Sequence, residues 1–489
     1  MAEHRFLALD LGAESGRAEV VTLADGRVRM AEIHRWPNRP VRLGGTLYWD
    51  FPFLFAEVLA SLKAAAQRKL ELRSASVCTW GVDFGLLGRN GQLLGNPVHY
   101  RDSRTADIHA YANGVLPSDA VFEATGGEPW AISSLYQLLA MQRDGNDLLE
   151  AAHTFLQMPD LFQYFLTGQA RNELSNVNTG NLLGVDGRWA EGVIEAFKLP
   201  RRMFGELARP GTVLGPLSQG VREQCEQGEL PVIATCGHDT GAAVAAIPGQ
   251  GDNWAFLSCG TWSILGCELE RPVTDLACLR AGFTNEITLG SWYVCRNILG
   301  LWLVQELRRK WNRPGDEWGY DRMTAEATGA GSGPLINARD ASLMAPADME
   351  AAQIDLLRRT GQGEPAGRGQ LVRCVLESLA LEYNHCLDTL GRLTGRRPAT
   401  VYMVGGGTAN KLLCQFTADA CGVEVHAGVD QCTALGNALV QALALGVLKD
   451  KAELRRVVRE SFEMHTYRPQ NQDEWAAKRE RYAAIQQQG

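Results

Sequence analysis

The sequence lacks the features that direct a chain to a membrane or to nucleic acid. Its longest apolar run, LVQALALGVL at 439–448, is short of the roughly 20 residues of a membrane-spanning helix. The opening MAEHRFLALD carries charges where a secretory signal needs an apolar stretch. The net charge is −8, whereas nucleic acid and anionic membranes attract basic surfaces. We therefore expect a cytoplasmic protein with no nucleic-acid or membrane partner.

Metal-binding and disulfide patterns are also missing. None of the twelve cysteines is spaced C-x-x-C or in the manner of zinc ligands. The only local pair is Cys414 and Cys421, which are seven apart on one predicted helix. Reduced thiols in a reducing compartment are the expectation.

Two common nucleotide-binding signatures are absent as well. No segment matches the P-loop pattern G-x-x-x-x-G-K-[ST]. The glycines of LALDLGAESGR (7–17) are not spaced G-x-G-x-x-G, and the RAEVVTL that follows has strand rather than helix character. A phosphate ligand stays possible, because loop amides bind phosphate without either motif.

What is present is a chain of 489 residues, 45% apolar and 21% charged, which is long enough for two to three globular domains. Each half begins with a three-strand meander and continues as alternating helix and strand. The IPGQGDN segment at 247–253 interrupts this pattern. We predict an N-terminal lobe at 1–247, a C-terminal lobe at 248–470, and an exposed helical tail at 471–489.

One glycine-rich turn follows the first strand of the N-terminal half. The strand ends at Asp10, and Gly12 to Arg17 form a tight turn whose amides converge as phosphate oxygens require. Asp10 is placed to hold a metal ion or its waters beside those phosphates. An ordinary hairpin turn is the alternative.

Two glycine-rich turns occur in the second half. In LSCGTWS (257–263), Gly260 permits close backbone approach and the Thr261 hydroxyl can bind a phosphate oxygen. A rival interpretation makes Cys259 a nucleophile with His238 as its base. The three glycines of VGGG (404–407) precede a helix, which favours a charged or flat ligand at its N-terminus. A tight β–α turn is the alternative there, although one glycine usually suffices.

Two strands end in side chains suited to a sugar. TWGVDF (79–84) brings Trp80, Gly81 and Asp83 together, although a buried core aspartate is equally consistent. In PVIATCGHDTG (231–241), Asp239 follows an apolar strand, as either a helix N-cap or a general base. A phosphate turn in each half implies a nucleotide between two lobes, which favours the base.

With these residues assembled, the chain resembles the FGGY family of carbohydrate kinases. The resemblance spans nearly the whole sequence. It is carried by ALDLGAESGR, TWGVDF, YRDSRT (100–105), SLYQL (134–138), MPDLFQYFLTG (158–168), GHDT (237–240), LSCGTWS, RNILGLWLVQ (296–305) and VGGG.

The resemblance implies an α/β fold of two actin-like (ribonuclease H-like) ATPase lobes with a central cleft, as in the sugar kinase/Hsp70/actin superfamily. Each lobe would contain a mixed five-stranded sheet. Within the family it points to kinases of L-rhamnulose, which use ATP and Mg²⁺ to phosphorylate the C1 hydroxyl. The alternatives are another FGGY kinase, acting on L-fuculose, a pentulose or glycerol, and a non-catalytic ATPase-fold binder. Monomer and homodimer both stay open.

The resemblance also assigns site residues. Asp239 is the implied general base, and Asp10 positions Mg²⁺. The implied nucleotide contacts are Ala13, Glu14, Ser15, Gly16, Arg17, Thr261, Gln305 and Gly406. The implied sugar contacts are Gly81, His238, Asp239, Thr240 and Asn297, to which we add Asp83 from its place in the strand end. Two departures matter: Glu14 stands where the family often has a small hydroxyl residue, and the spacing of Cys414 from Cys421 argues against carrying over any cysteine pairing.

Overall fold

The computed structural model describes residues 3–487. Its strands are β1 (His4–Leu11), β2 (Ser15–Ala24), β3 (Arg27–Pro37), β4 (Pro40–Leu43), β5 (Thr46–Trp49), β6 (Leu72–Thr79), β7 (Phe84–Leu87), β8 (Thr154–Gln157), β9 (Arg171–Glu173), β10 (Glu206–Ala208), β11 (Thr212–Pro216), β12 (Pro231–Ala234), β13 (Trp254–Cys259), β14 (Trp262–Leu269), β15 (Thr284–Thr288), β16 (Ser291–Leu299), β17 (Thr400–Val404), β18 (Glu424–Ala427) and β19 (His465–Tyr467). Its α-helices are α1 (Phe51–Gln67), α2 (Ile108–Asn113), α3 (Ser118–Thr125), α4 (Ser134–Arg143), α5 (Leu148–Ala151), α6 (Met158–Thr167), α7 (Leu174–Thr179), α8 (Glu191–Ala196), α9 (Gln219–Cys225), α10 (Asp239–Ala245), α11 (Leu276–Arg280), α12 (Trp302–Trp311), α13 (Tyr320–Gly329), α14 (Met349–Arg359), α15 (Arg368–Thr394), α16 (Lys411–Cys421), α17 (Cys432–Ala444), α18 (Lys451–Ser461) and α19 (Gln472–Gln486).

The chain forms two compact units, and neither is continuous in the sequence. The first contains Met1–Pro248, Leu269–Val294 and Cys432–Ser461, and the second contains Gly249–Glu268, Cys295–Gln431 and Phe462–Gly489. The first unit thus includes α17 and α18, which our division at 247/248 places in the C-terminal lobe. Helix α17 packs on β1, where the Gln441 amide donates to the Leu7 carbonyl oxygen at 3.0 Å. The roles of the predicted lobes, and a cleft between them, stay predictions.

The sheet of the first unit has six strands in the order β11-β12-β6-β1-β2-β3. Strands β1, β2 and β3 form the predicted antiparallel meander, while β6 and β12 run parallel to β1. The inner strands β1 and β6 are buried along six consecutive residues each. Parallel strands covered on both faces are buried continuously in this way. We expected five strands, and the sixth is the antiparallel edge strand β11.

The second unit repeats this organisation around its own sheet. Strands β13 and β14 are antiparallel, β17 and β18 run parallel to β13, and β19 closes the edge antiparallel to β18. The C-terminal part of β16 lies on the far side of β14. Both sheets contain the strand order 3-2-1-4-5. The first has one additional edge strand, and the second has seven strands rather than the expected five because β15 and β19 lie at its edges. The shared order confirms the two-part α/β fold.

The C-terminal helix α19 is not the exposed tail that we expected. Four of its residues, spaced three or four apart, are buried against the second unit: Trp475, Lys478, Tyr482 and Ile485. The Lys478 ammonium lies 2.9 Å from the Glu377 carboxylate, which is completely buried. The pattern was missed because a lysine occupies one of the four inward positions, where its aliphatic stem is buried with its charge paired.

We predict that Trp475→Ala destabilises the second unit by about 3–5 kcal/mol, the usual cost of removing a buried tryptophan. Trp475 is 2% exposed and packs against Phe416, with 5.4 Å between ring centroids. Thermal unfolding followed by circular dichroism measures the effect, with the exposed Glu480→Ala on the same helix as the control. Equal unfolding midpoints for the two variants would show that α19 is the exposed tail predicted from the sequence.

Two general features complete the fold. All twelve cysteines are buried. Among residues 3–487, no helix has both the length and the hydropathy to cross a membrane.

Candidate active site

Three parallel strands of the first unit end at one edge of its sheet. Strand β1 reaches this edge at Asp10, and β6 reaches it at Thr79. His238, just beyond β12, forms an isolated parallel bridge with Thr79. Asp239 is then the first residue of α10. Because the carboxyl ends of parallel strands meet at the same edge, the fold brings these predicted site residues together.

Strand register explains the first charged pair. Asp10 of β1 is directly opposite Arg17 of β2. Both Nε and Nη2 of Arg17 contact the Asp10 Oδ2 atom, at 2.9 and 2.8 Å. Glu19, two residues further along β2, lies 3.8 Å from the same guanidinium. The sequence predicts Arg17 to lie in the turn, so this cross-strand pair with Asp10 was not predicted.

The turn itself is shorter than predicted. Strand β2 already begins at Ser15, so Gly16 and Arg17 belong to a strand rather than to a turn. The Gly12 amide donates to the Ser15 carbonyl oxygen at 3.0 Å, which closes the turn. Within residues 3–487, no protein acceptor is bonded to the amides of Ala13 and Glu14. These two amides could donate hydrogen bonds to phosphate oxygens.

The electrostatic setting of Asp10 bears on magnesium. Burial and the nearby Asp239 raise the pKa of Asp10, while Arg17 opposes them and lowers it. Across residues 3–487, no three His, Cys, Asp or Glu side chains lie close enough to form a metal cage. Mg²⁺ commonly binds through one or two carboxylates, with waters and substrate phosphates completing its shell. Asp10 fits that outer role, since Arg17 contacts only one of its two oxygens.

Asp239 is not the cap of its helix. Its Oδ1 atom accepts a hydrogen bond from the adjacent Thr240 amide at 2.6 Å, and the N-cap position belongs to His238. The Asp239 side chain keeps 30% of its surface exposed. Burial raises the pKa of Asp239, while His238 and the Thr240 hydrogen bonds lower it. A half-buried carboxylate with an accessible oxygen can accept a proton from a bound hydroxyl.

His238 lies between two carboxylates. Its Nε2 atom is 3.3 Å from Asp239 Oδ1, and its Nδ1 atom is 3.1 Å from Glu286 Oε2. The Tyr293 hydroxyl donates a short hydrogen bond to the same Glu286 oxygen. Although burial favours the neutral ring, Glu286 and Asp239 raise the pKa of His238 to about 9. The ring is therefore a cation at neutral pH.

The cysteine nucleophile has no support in the structure. Burial raises the pKa of Cys259 to about 11. Its sulfur contacts the hydroxyls of Ser263 and Tyr383, at 3.8 Å each, and these do not act as bases. A thiol of this kind is protonated and weakly reactive.

Asp83 is wrong as a sugar contact. Its side chain is completely buried. Oδ2 accepts hydrogen bonds from the indole nitrogens of Trp49 and Trp80, at 2.6 and 2.9 Å, and from the Tyr100 amide at 3.2 Å. Oδ1 accepts one from the Gln137 amide nitrogen at 2.9 Å. The buried-aspartate alternative is thus the correct one, and Asp83 anchors the loop that follows β6.

That loop presents Gly81 at the sheet edge. A Cβ at Gly81 would lie 2.8 Å from the Thr179 hydroxyl oxygen, which accepts from the Val82 amide at 3.0 Å. Val82 has φ +72°, a conformation that β-branched residues rarely adopt. Its carbonyl oxygen accepts hydrogen bonds from Ser134 and Gln137, which hold the strained backbone in place.

We predict that Asp83→Asn lowers the unfolding midpoint and raises KM for the sugar, without a comparable change in KM for ATP. The amide NH₂ of asparagine would face donors, which costs about 1–3 kcal/mol for each hydrogen bond left unmade. Differential scanning fluorimetry and steady-state kinetics measure the two effects. An unchanged midpoint with a raised sugar KM would indicate direct sugar binding by Asp83.

The other predicted nucleotide contacts lie in the second unit. Gly260 and Thr261 form the turn between β13 and β14, and Thr261 is exposed. Their carbonyl oxygens accept from the amides of Leu301 and Trp302, at 2.9 and 3.0 Å, just where α12 begins. Gln305 is one turn further along α12 and is half-buried. The turn and the helix therefore present Thr261 and Gln305 from one rigid element.

The VGGG segment differs from our expectation. A 3₁₀ turn, Gly406–Ala409, intervenes before α16, whose amide end is capped by the Asn410 side chain bonded to the Leu413 amide at 3.0 Å. The α-helix N-terminus is thus already occupied. Gly406 lies at the start of the 3₁₀ turn, and a Cβ added there would meet no atom within 4 Å.

Asn297 and Thr240 complete the predicted sugar contacts. Asn297 is half-buried on β16 in the second unit, and Thr240 is half-buried on α10 in the first. The Thr240 hydroxyl is 3.3 Å from Asp239 Oδ1. The first unit brings together Asp10, Arg17, Gly81, His238, Asp239 and Thr240, whereas Thr261, Gln305, Gly406 and Asn297 lie in the second.

Comparison with known proteins places this geometry in a family. The model of the FGGY family of carbohydrate kinases, N-terminal domain, matches residues 5–246, and that of the C-terminal domain matches residues 255–445. The chain belongs to the FGGY family of carbohydrate kinases. It is therefore an enzyme that transfers a phosphoryl group from ATP to a carbohydrate.

Individual relatives agree with the family. The chain is 38% identical to a rhamnulokinase from Bacteroides thetaiotaomicron, over 97% of this chain and 98% of that protein. It is 32% identical to one from Oceanobacillus iheyensis, over 94% and 97%. A xylulose kinase from Rhodospirillum rubrum shares the fold, with a TM-score of 0.82, 17% identity and coverage of 99% and 98%. So does the Plasmodium falciparum glycerol kinase with ADP, with a TM-score of 0.81, 14% identity and coverage of 99% and 98%.

Sequence reasoning missed Glu286 and Tyr293. Both lie in the segment that joins the first unit from outside the predicted N-terminal lobe. The sequence offered little signal, because TNEIT (284–288) is mostly polar and only the structure shows that all five residues of this strand are buried.

Proposed function

We propose that the chain catalyses ATP + L-rhamnulose → ADP + L-rhamnulose 1-phosphate, a step of L-rhamnose breakdown. Relatives that carry the name rhamnulokinase match it along nearly the whole chain. The observation that carries the mechanism is the half-exposed carboxylate of Asp239, at the sheet edge beside the cationic His238. Asp239 is the base, and the C1 hydroxyl is the acceptor.

In this step, the hydroxyl oxygen forms a bond to the γ-phosphorus while the bond from that phosphorus to the β,γ-bridging oxygen breaks. Asp239 accepts the hydroxyl proton and later releases it to water. His238, Thr240 and Gly81 bind the sugar, together with Asn297. The amides of Ala13 and Glu14 and the Arg17 guanidinium bind phosphate oxygens, and Thr261, Gln305 and Gly406 contact the nucleotide.

Magnesium fits the proposal through Asp10. We propose that Asp10 holds Mg²⁺ through water, with the ATP phosphates supplying the direct oxygen ligands. When bound, the ion neutralises phosphate charge. Arg17, which donates to Asp10, would bring a second positive charge to the same phosphates. Glu14 is exposed and carries no hydroxyl, so the proposed phosphate contact at that position is made by its backbone amide alone.

A coupled ADP-release assay with Mg-ATP tests the function. The acceptors are L-rhamnulose, L-fuculose, L-xylulose, D-xylulose, L-ribulose, D-ribulose and glycerol. We expect the highest kcat/KM for L-rhamnulose, by about tenfold or more, since a pocket that hydrogen-bonds a hydroxyl discriminates at least this strongly. A higher value for another acceptor would replace the substrate and leave the kinase chemistry intact. No turnover with bound ATP would favour a non-catalytic sugar sensor.

A further inference from the structure

A buried chain of polar groups leads from the predicted base into the first unit. It runs from Asp239 through His238 and Glu286 to Tyr293. His238 and Asp239 are neighbours in sequence, but Glu286 and Tyr293 arrive on β15 and β16. None of the predicted site residues comes from either strand within the first unit. Tyr293 is completely buried and Glu286 is 8% exposed, so these two inner groups are shielded from a substrate that binds from solvent.

The geometry fixes the charge of the ring. Both ring nitrogens of His238 face carboxylate oxygens, at 3.3 and 3.1 Å. A neutral imidazole has one N–H, so one of its nitrogens would present a lone pair to an anion. Nδ1 makes no hydrogen bond although Glu286 Oε2 lies 3.1 Å away, so this contact is an ion pair. Only the imidazolium satisfies both sides.

We propose that Glu286, anchored by Tyr293, is a positioning residue that holds His238 as a cation beside Asp239 and so keeps the base ionised. The proposal rests on the proposed function, because it assigns a task to that same base. Partial burial of Asp239 would otherwise favour its protonated form, which cannot accept a proton. The His238 charge opposes that tendency.

Other groups face this pair from the surrounding elements. Glu173 of β9 adds to the stabilisation of the His238 cation, and its carboxylate accepts from the Gly237 amide at 2.7 Å. Asp10 of β1 faces Asp239, with Arg17 of β2 offsetting its charge. Cys78 of β6 is a buried thiol in the same field. Glu286 differs from these groups because it is the only one within 4 Å of the ring besides Asp239 in the described residues.

The test is the pH dependence of kcat/KM for the sugar in wild type, Glu286→Gln and Tyr293→Phe. The base must be ionised, so activity falls as pH drops through the pKa of Asp239. Without Glu286, His238 loses its proton. The Glu286 charge itself raises the pKa of Asp239, but the His238 charge, 3.3 Å away, has the larger and opposite effect, so its loss raises that pKa and moves the acid limb to higher pH. We expect Glu286→Gln to lower kcat/KM for the sugar about tenfold or more at pH 6 but less than about threefold at pH 8.5. At a pH below the pKa of the base, each unit by which that pKa rises lowers the rate about tenfold. Tyr293→Phe should shift the limb less, in the same direction.

Glu270→Gln is the matched control, because Glu270 is exposed on the same chain segment. A second readout does not depend on turnover: the imidazole NMR signal of His238, assigned by its loss in His238→Gln. It should titrate near pH 9 in wild type, whereas in Glu286→Gln it should remain that of the neutral ring at pH 6, because Glu286 no longer opposes the effect of burial. If Glu286→Gln does not fold, the pH profile and the His238 NMR titration are compared between wild type and Tyr293→Phe instead.

The possible failures are separable. A wild-type enzyme inactive on every ketose would refute the proposed function, while the NMR titration would still test the charge of His238. An active wild type whose pH profile and His238 signal are both unmoved by Glu286→Gln would overturn the positioning role. A uniform loss of activity at all pH values, with the signal unmoved, would make Glu286 a structural residue only and would overturn it too.

Discussion

Asp239→Asn should reduce kcat by about 10²–10⁴-fold and leave ATP affinity unchanged. That range is typical of the loss of a general base and corresponds to roughly 3–5 kcal/mol of barrier. Asparagine has nearly the same shape, and its Oδ1 atom can still accept the hydrogen bond from the Thr240 amide that Asp239 accepts at 2.6 Å. The start of α10 should therefore be preserved, so the effect should be confined to proton transfer.

Single-turnover kinetics measure the rate of phosphoryl transfer, and calorimetry measures ATP binding. The control is Asp119→Asn on α3, which makes the same chemical change at an exposed position of the same unit. An Asp239→Asn enzyme within threefold of the control would remove Asp239 from the role of base. A loss of ATP binding would instead assign Asp239 to the nucleotide or its metal ion.

The fold could be predicted because its signals are local. The apolar run FLAL identifies β1, and an Asp-Gly turn identifies the β2–β3 hairpin. The limits are non-local. No local pattern tells that α17 returns to pack on β1, since that depends on contacts such as Gln441 with Leu7 across more than four hundred residues. The sixth strand of the first sheet was missed for a related reason: an edge strand such as β11 has little buried surface to set its pattern.

The candidate site divides in the same way. Asp239 and Asp10 could be identified because a carboxylate at the end of an apolar strand is anomalous wherever it occurs. Asp83 has the same appearance in sequence, yet four donors occupy its oxygens, and three of them come from other segments of the chain. Whether such a carboxylate faces a ligand or the core is decided by groups far away in sequence. Glu286 shows the converse. Its partner His238 is 48 residues away in the sequence, and the two meet only because β15 packs beside α10.

The glycines of VGGG separate packing from ligand binding. Gly405 has φ +86°, and a Cβ there would lie 2.8 Å from the Cys259 carbonyl oxygen. A Cβ at Gly407 would lie 2.3 Å from the Cys259 sulfur. Gly406, between them, has open space on that side. The three glycines are therefore needed for different reasons: two let the turn pack on β13, and only the middle one has open space for a ligand.

We expect Gly405→Ala to destabilise the second unit by roughly 2–5 kcal/mol, from a left-handed backbone penalty of about 1–2 and an overpacking cost of about 1–3. Gly406→Ala should leave the unfolding midpoint within about 1 °C, because nothing is displaced, yet raise KM for ATP. If the methyl group prevents one hydrogen bond to the nucleotide, the affinity falls about 5- to 100-fold, or roughly 1–3 kcal/mol.

Thermal unfolding without nucleotide and ATP titration of the two variants decide between these effects, each variant being the control of the other. Equal ATP affinity in Gly406→Ala and wild type would mean that the nucleotide does not approach this turn, and all three glycines would then serve packing. A stable Gly405→Ala protein would require the turn to move away from Cys259. That movement would carry Gly406 with it, so stability would be retained only with a weakened ATP site.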